Sequence, residues 1–316
     1  MTLGYIDLKG ISHLDLQARD GGVYDDKMWR ESYYYVMSDP SSGIVLITTM
    51  GFRPNKPRSE GFVLVLKNGE PVYFDLLVAL GRPTQERFDF RLKGLGYAVE
   101  GAGWRLKYRS KRCTVDVLFT PVNKIYEYIT DEVPGVFERI GSQHYEQTGS
   151  YEGRIVVDGE TYAVGPCFGH RDHSWGIRDW ASVNEYRLFC CGFSDGLAFN
   201  LWEAKIDGKD FMRGYVFDGT RNASIVRSHV RTKYQDDERT PASATIELED
   251  DEGRKYEIEC RVLGCVQFPP KECILYETIA EMRCNGKVSW GLLEYLFHET
   301  RAVPRLRAYM KALAML

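Results

Sequence analysis

The chain has eight cysteines (Cys113, Cys167, Cys190, Cys191, Cys260, Cys265, Cys273 and Cys284), yet no two stand in a Cys-x-x-Cys pair. That spacing removes the common zinc-ribbon and dithiol signatures. The opening Met1-Thr-Leu-Gly-Tyr-Ile-Asp7 lacks the basic and apolar regions of a signal peptide. The expectation is therefore a cytoplasmic protein with reduced thiols. No apolar run approaches the roughly 20 residues that span a bilayer. The Gly-x-Ser-x-Gly elbow, the Walker loop and a Gly-x-Gly-x-x-Gly fingerprint after a strand are all missing, which disfavours nucleotide-dependent chemistry. The glycine-rich run Gly94–Gly101 has no helix after it and reads as a turn between strands. Charge of one sign is missing too: 41 Lys and Arg against 45 Asp and Glu give a net charge of -4. With no concentrated basic face, a nucleic-acid partner is not expected. Helical periodicity is confined to Pro304–Leu316, where Leu306, Tyr309, Met310 and Leu313 share a face. The expectation there is a C-terminal helix packed across a barrel, with a basic membrane-surface contact through Arg305, Arg307 and Lys311 as the alternative.

What the chain has in quantity is aromatic residues and turn dipeptides. Its 20 Tyr, 15 Phe and 6 Trp suit either an apolar ligand cavity or ordinary β cores. Asn68-Gly69, Asp158-Gly159, Asp207-Gly208, Asp218-Gly219 and Asn285-Gly286 each stand between β-rich runs, and Asx-Gly is the favoured type I′ hairpin loop. Flanking segments alternate as half-buried strands: Gly61–Leu66 against Val72–Leu76, Thr245–Glu249 against Lys255–Cys260, Ile279–Cys284 against Val288–Tyr295. The fold class is all-β, with two packed antiparallel β domains of barrel or sandwich type. The strand pattern breaks over Ile129–Gly135 and resumes at Gln143–Gly149, so the expected units are 1–145 and 146–316, packed directly with a ligand cleft between them.

The chemistry concentrates in Gly169-His-Arg-Asp-His-Ser-Trp-Gly-Ile-Arg-Asp-Trp180. Charges among aromatic rings cost several kcal/mol unless paired or hydrogen-bonded. On a strand, His170, Asp172 and Ser174 share one face, and Arg171, His173 and Trp175 the other. One reading is a proton-transfer pair of Asp172 with a histidine at a hydrophobic cavity. The other is an ion network of Arg171, Asp172, Arg178 and Asp179 that clips a barrel end together. As metal ligands, His170 and His173 would point to opposite faces, so no metal site is expected. Further candidates are Glu203 and Glu294, acids within apolar strands, and Tyr215 as a hydrogen-bond donor to a substrate oxygen. Glu294 shares a face with Trp290 and Leu292, which favours an inward position.

The same run resembles the motif Gly-x-x-Asp-His-x-Trp-Gly of the carotenoid 1,2-hydratase (hydroxyneurosporene synthase) family, through Asp172, His173, Trp175 and Gly176. The resemblance continues more weakly from about His144 through Gly214-Tyr-Val216 to Glu294, and the first 140 residues carry no matching motif. It implies tandem lipocalin-like domains. It also implies a cofactor-independent hydratase or dehydratase acting on an alkene of a hydrophobic, isoprenoid-like or prenylated small molecule. In that scheme Asp172 is the general acid, and His173 or His170 its partner. Trp175, Trp180 or Tyr215 would steady the carbocation. A pericyclase or isomerase in the same cavity, or a non-catalytic carrier, are the alternatives. A carrier has no need of the Asp/His cluster.

Overall fold

The structure, a computed structural model, describes residues 27–298 apart from 54, 57, 82–83, 87–88, 130–139, 142 and 269–272. The expected helix at Pro304–Leu316 lies outside the described residues. Twelve strands build a first antiparallel sheet. They are β1 (Trp29–Asp39), β2 (Ile44–Arg53), β3 (Arg58–Lys67), β4 (Glu70–Leu80), β5 (Thr84–Glu86), β6 (Asp89–Leu92), β7 (Leu95–Glu100), β8 (Gly103–Arg109), β9 (Cys113–Pro121), β10 (Tyr126–Glu127), β11 (Gln143–Val157) and β12 (Glu160–Ile177). Eight more close a barrel in sequence order. These are β13 (Val183–Gly192), β14 (Leu197–Ile206), β15 (Lys209–Asp218), β16 (Asn222–Tyr234), β17 (Pro241–Asp250), β18 (Lys255–Phe268), β19 (Cys273–Cys284) and β20 (Lys287–His298). The all-β, two-unit architecture is thus observed.

Local chemistry explains the hairpins. At Asn68-Gly69, Asp158-Gly159, Asp207-Gly208 and Asn285-Gly286 both residues have positive φ, between 48° and 88°, as a type I′ loop requires. Asp218-Gly219 departs from the expectation. Only Gly219 has positive φ, and the Asp218 carboxylate accepts hydrogen bonds from Thr220 and the Arg221 amide, stretching the connection to β16. The Gly94–Gly101 run also differs. Lys93-Gly94 makes one turn, Leu95–Glu100 is strand β7, because its apolar residues have a sheet to join, and Gly101 opens the next turn.

The first sheet places β12 between β1 and β11. The break at Ile129–Gly135 therefore falls between two strands of one sheet, and the chain changes sheets only between Ile177 and Val183. There Asp179 caps a 3-10 turn at Trp180–Ser182. Alternation sorts three large cores. Tyr33, Tyr35, Met37, Trp104 and Phe119 fill the inside of the first sheet, and Phe189, Leu201, Ile246 and Leu293 fill the barrel. Between them lies a third layer, with Val36, Ile47 and Leu64 of the sheet against Leu188, Trp202 and Leu292 on the barrel's outer surface. Full burial of one such side chain contributes roughly 1.5–3 kcal/mol, so this layer holds the units together.

The units also touch backbone to backbone. A Cβ at Gly264 in β18 would sit 1.9 Å from the Gly69 carbonyl oxygen of the β3–β4 turn. Neither atom is the end of a flexible side chain. Gly264→Ala is therefore expected to lower the thermal midpoint, at a cost of about 1–3 kcal/mol for overpacking. An unchanged midpoint would show that this contact does not fix the packing of the two units.

Candidate active site

Strand alternation delivers polar groups to the layer between the sheets, where a cavity of about 570 Å³ opens. From the first sheet it is lined by Tyr34, Phe62, His144, Asp172, Ser174 and Arg178, among others. From the barrel come Tyr186, Leu188, Trp202, Glu277 and Glu294. The site therefore stands outside the barrel bore, between the two units.

On the sheet side, Tyr34 and Glu146 both stand directly opposite Asp172 on neighbouring strands. Like charges opposite one another destabilise a sheet unless compensated. Here the compensation comes from histidines. Glu146 is fully buried and contacts His170 Nε2 through one oxygen, while His144 Nε2 stands 3.0 Å from the other. Burial alone would raise the Glu146 pKa, but these two imidazoles outweigh it and hold the carboxyl below its ordinary value. Asp172 is left with the opposite balance. Burial, and then the charge of Glu146, push it up to about 6 against the pull of His144, Arg178 and His170.

On the barrel side, Glu277 of β19 stands directly opposite Glu294 of β20, both directed out of the barrel. Tyr34 OH donates to Glu277 Oε2 at 2.9 Å, and Tyr186 OH donates to Glu294 Oε1 at 2.5 Å. Burial pushes Glu277 up to about 7, and burial together with the Glu277 charge pushes Glu294 well above the usual carboxylate range. Two carboxyl groups so placed do not readily ionise together. The charge of Asp172 raises both further.

The expected residues divide cleanly. Asp172, Trp180 and Glu294 line the cavity. His170 shares the Asp172 side of β12 but is buried against Glu146 and Asn200 (3.3 Å) rather than lining the space. His173 and Trp175 point through the sheet the other way, as the period of two requires. His173 contacts Tyr145 OH and Glu31 (2.8 Å) and stacks on Tyr33 at 4.1 Å. Trp175 packs with Trp29, Phe52 and Tyr145. Tyr215 is fully buried, hydrogen-bonded to Thr148 at 2.7 Å, and does not line the cavity. Glu203 lies elsewhere, paired with Arg187 (3.2 Å) and Ser228 (2.5 Å). The clip of four charges does not assemble as expected either: Arg171 bonds Gln147 at 2.9 Å on the far face, and Asp179 caps a turn. Glu277, His144 and Glu146 were not anticipated.

His170 and His173 do face opposite ways, but His144, Glu146 and Asp172 each offer a ligand atom within 4.8 Å of the others. This set could hold a metal ion: Glu146 Oε2 is engaged by His170, whereas Glu146 Oε1 and His144 Nε2, 3.0 Å apart, are buried without a hydrogen-bond partner.

Residues 23–299 match the family described as a domain of unknown function, DUF7064. The chain belongs to that family. A search of curated protein sequences returns no match. Among solved structures, the fold is similar to a Nitrosomonas europaea protein assigned as AttH (TM-score 0.63, 14% identity, 85% of this chain and 92% of that one). It is similar to kievitone hydratase from Nectria haematococca (TM-score 0.54, 12% identity, 86% and 89%). CghA, solved with Sch210972, also shares it (TM-score 0.63, 10% identity, 87% and 90%). The DUF7064 chain thus has a fold also used by a hydratase. Among the described residues, no helix is long and apolar enough to cross a membrane.

Proposed function

We propose that this DUF7064 protein is a cofactor-independent hydratase or dehydratase acting on an alkene of a lipophilic small molecule. One observation carries the reading: the cavity places the adjoining carboxyls Glu277 and Glu294 on its barrel wall and a third, Asp172, on its sheet wall, with burial raising Glu294 well above the ordinary range and Asp172 less. Environments that push titratable groups apart in this way define acid and base roles. The motif around Asp172 supports the same reading through its resemblance to carotenoid 1,2-hydratases, as does the shared fold of kievitone hydratase.

The roles differ from the expectation in the acid, the histidine and the aromatic partners. The Glu277–Glu294 pair, with the firmer hold on a proton, is the acid, and Asp172 is the base. The pair protonates one alkene carbon. The resulting carbocation is steadied by the π faces of Trp202 and Trp180. A water held by Asp172 and His144 attacks the cation and gives its second proton to Asp172, forming the alcohol. Asp172 then releases its proton to solvent and the pair takes one up, which restores both groups. Dehydration runs the same steps backwards, so the pair and Asp172 exchange roles.

The ligand recovered by mass spectrometry from purified protein supplies the test substrate. Turnover in ¹⁸O-labelled water, after treatment with a chelator, is expected to place one heavy oxygen in the alcohol product. An unlabelled product isomeric with the substrate would point to a pericyclase or isomerase, and unchanged ligand to a carrier. Activity lost with a stoichiometric metal would move the chemistry to the His144, Glu146 and Asp172 set.

A further inference from the structure

One end of the cavity is strongly basic, and apart from the pull of Arg178 on Asp172 the proton-transfer scheme makes no use of it. Arg30, Arg53, Lys56, Arg58 and Arg178 line the wall there, and the carboxylate beside Arg30, Arg53 and Arg58 is Glu60. That single group is shared three ways. Arg30 Nε stands 3.4 Å and Arg53 Nε 3.8 Å from Glu60 Oε1, and Arg58 Nε stands 3.4 Å from Oε2. These are long, divided contacts rather than bidentate pairs. The Nε atoms of Arg30 and Arg178 are buried without a hydrogen-bond partner. The guanidinium groups repel one another. Burial and then the neighbouring charge of Arg30 lower both Arg53 and Arg178, the latter to about 10.

Concentrated like charge in a partly apolar cavity is costly unless a counter-charge arrives with the ligand. We infer that the Arg30, Arg53, Arg58 and Arg178 end of the cavity binds an anionic headgroup, a carboxylate or phosphate, of an amphipathic substrate. The apolar body of that molecule lies toward Trp202 and Leu188, where the carboxyl groups meet it. This deepens the hydratase reading by naming the substrate class, and it rests on that reading for the claim that the bound molecule reacts. It also gives the cavity a direction, since a molecule anchored at one end presents a fixed carbon to the Glu277–Glu294 pair.

The test compares dodecanoate, dodecyl phosphate and 1-dodecanol, read by the fluorescence of the cavity tryptophans Trp180 and Trp202. The expected result is binding of at least one anionic probe about 10-fold or more tighter than the alcohol at low salt, through charge-assisted hydrogen bonds. That advantage should shrink as salt screens it. The better of the two anions identifies the headgroup. In Arg53→Gln and in the more exposed Arg58→Gln, the advantage should fall while alcohol binding and thermal midpoint hold. Equal binding of all three probes, tighter binding of the alcohol, no binding at all, or an advantage that survives both substitutions would each overturn the inference. Turnover is not needed for this readout, so the headgroup site stands or falls separately from the hydratase reading. Glu294→Gln serves as the control, losing turnover but keeping the anion preference.

Discussion

Glu294→Gln is expected to lower turnover by roughly 10²–10⁴-fold, the contribution of a positioned general acid. Glutamine is nearly isosteric and can still accept the bond from Tyr186, but it has no proton to deliver to carbon. Burial and then the Glu277 charge raise the Glu294 pKa, so at pH 8 folding must either bind a proton there or bury a charge, a penalty that glutamine avoids. The variant should therefore fold with an unchanged or higher midpoint at pH 8. Near-normal turnover in a folded Glu294→Gln protein would remove the pair from the mechanism.

Asp172→Asn is expected to cost a comparable factor, by loss of the base, and its stability signature has a definite sign. Burial and the Glu146 charge raise Asp172 from 3.8 to about 6 in the folded state. A carboxyl raised on folding stabilises the protein below its unfolded pKa, and that contribution is lost as pH rises through the folded value. At pH 8 the wild type therefore carries the penalty of an ionised Asp172, and the asparagine variant does not. Its midpoint should match or exceed that of the wild type at pH 8, with the advantage disappearing below about pH 4. A structural clip predicts the reverse: about 3–5 kcal/mol lost on breaking a buried ion pair, with specific activity preserved in the folded fraction. Thermal midpoint and turnover measured on the same variant separate the two.

Much of the frame was legible because it is local. Four Asx-Gly pairs fixed four hairpins, and the period of two correctly put Asp172 and Ser174 on one side of β12 and His173 and Trp175 on the other. What was missed is non-local, and the reasons differ. Glu277 was open to inference, since counting equally outward from the Asn285-Gly286 loop sets it opposite Glu294. Glu146 was not. Counting outward from Asp158-Gly159 sets Tyr145 opposite Asp172, but a bulge between Tyr151 and Gly153 shifts the register by one and brings Glu146 there instead. A one-residue slip exchanges the two faces of a strand, so the acidic neighbour of Asp172 was hidden behind an irregularity. The site's histidine partner moved for the same reason: His144 shares the face of Glu146. The sheet change at Ile177–Val183 was also hidden, because the break at Ile129–Gly135 looks the same in sequence as a boundary between units.

The most direct measurement is infrared difference spectroscopy of the protein at pH 7, wild type minus Glu294→Gln, in the carbonyl region. A buried carboxyl pair that shares a proton must give the absorption of a protonated carboxylic acid. That band should be present in the wild type, retained in Asp172→Asn, and weakened and shifted on replacing Glu294, where Glu277 alone is left to hold a proton. Absence of a protonated-acid band from the wild type, or its persistence unchanged in Glu294→Gln, would contradict the account.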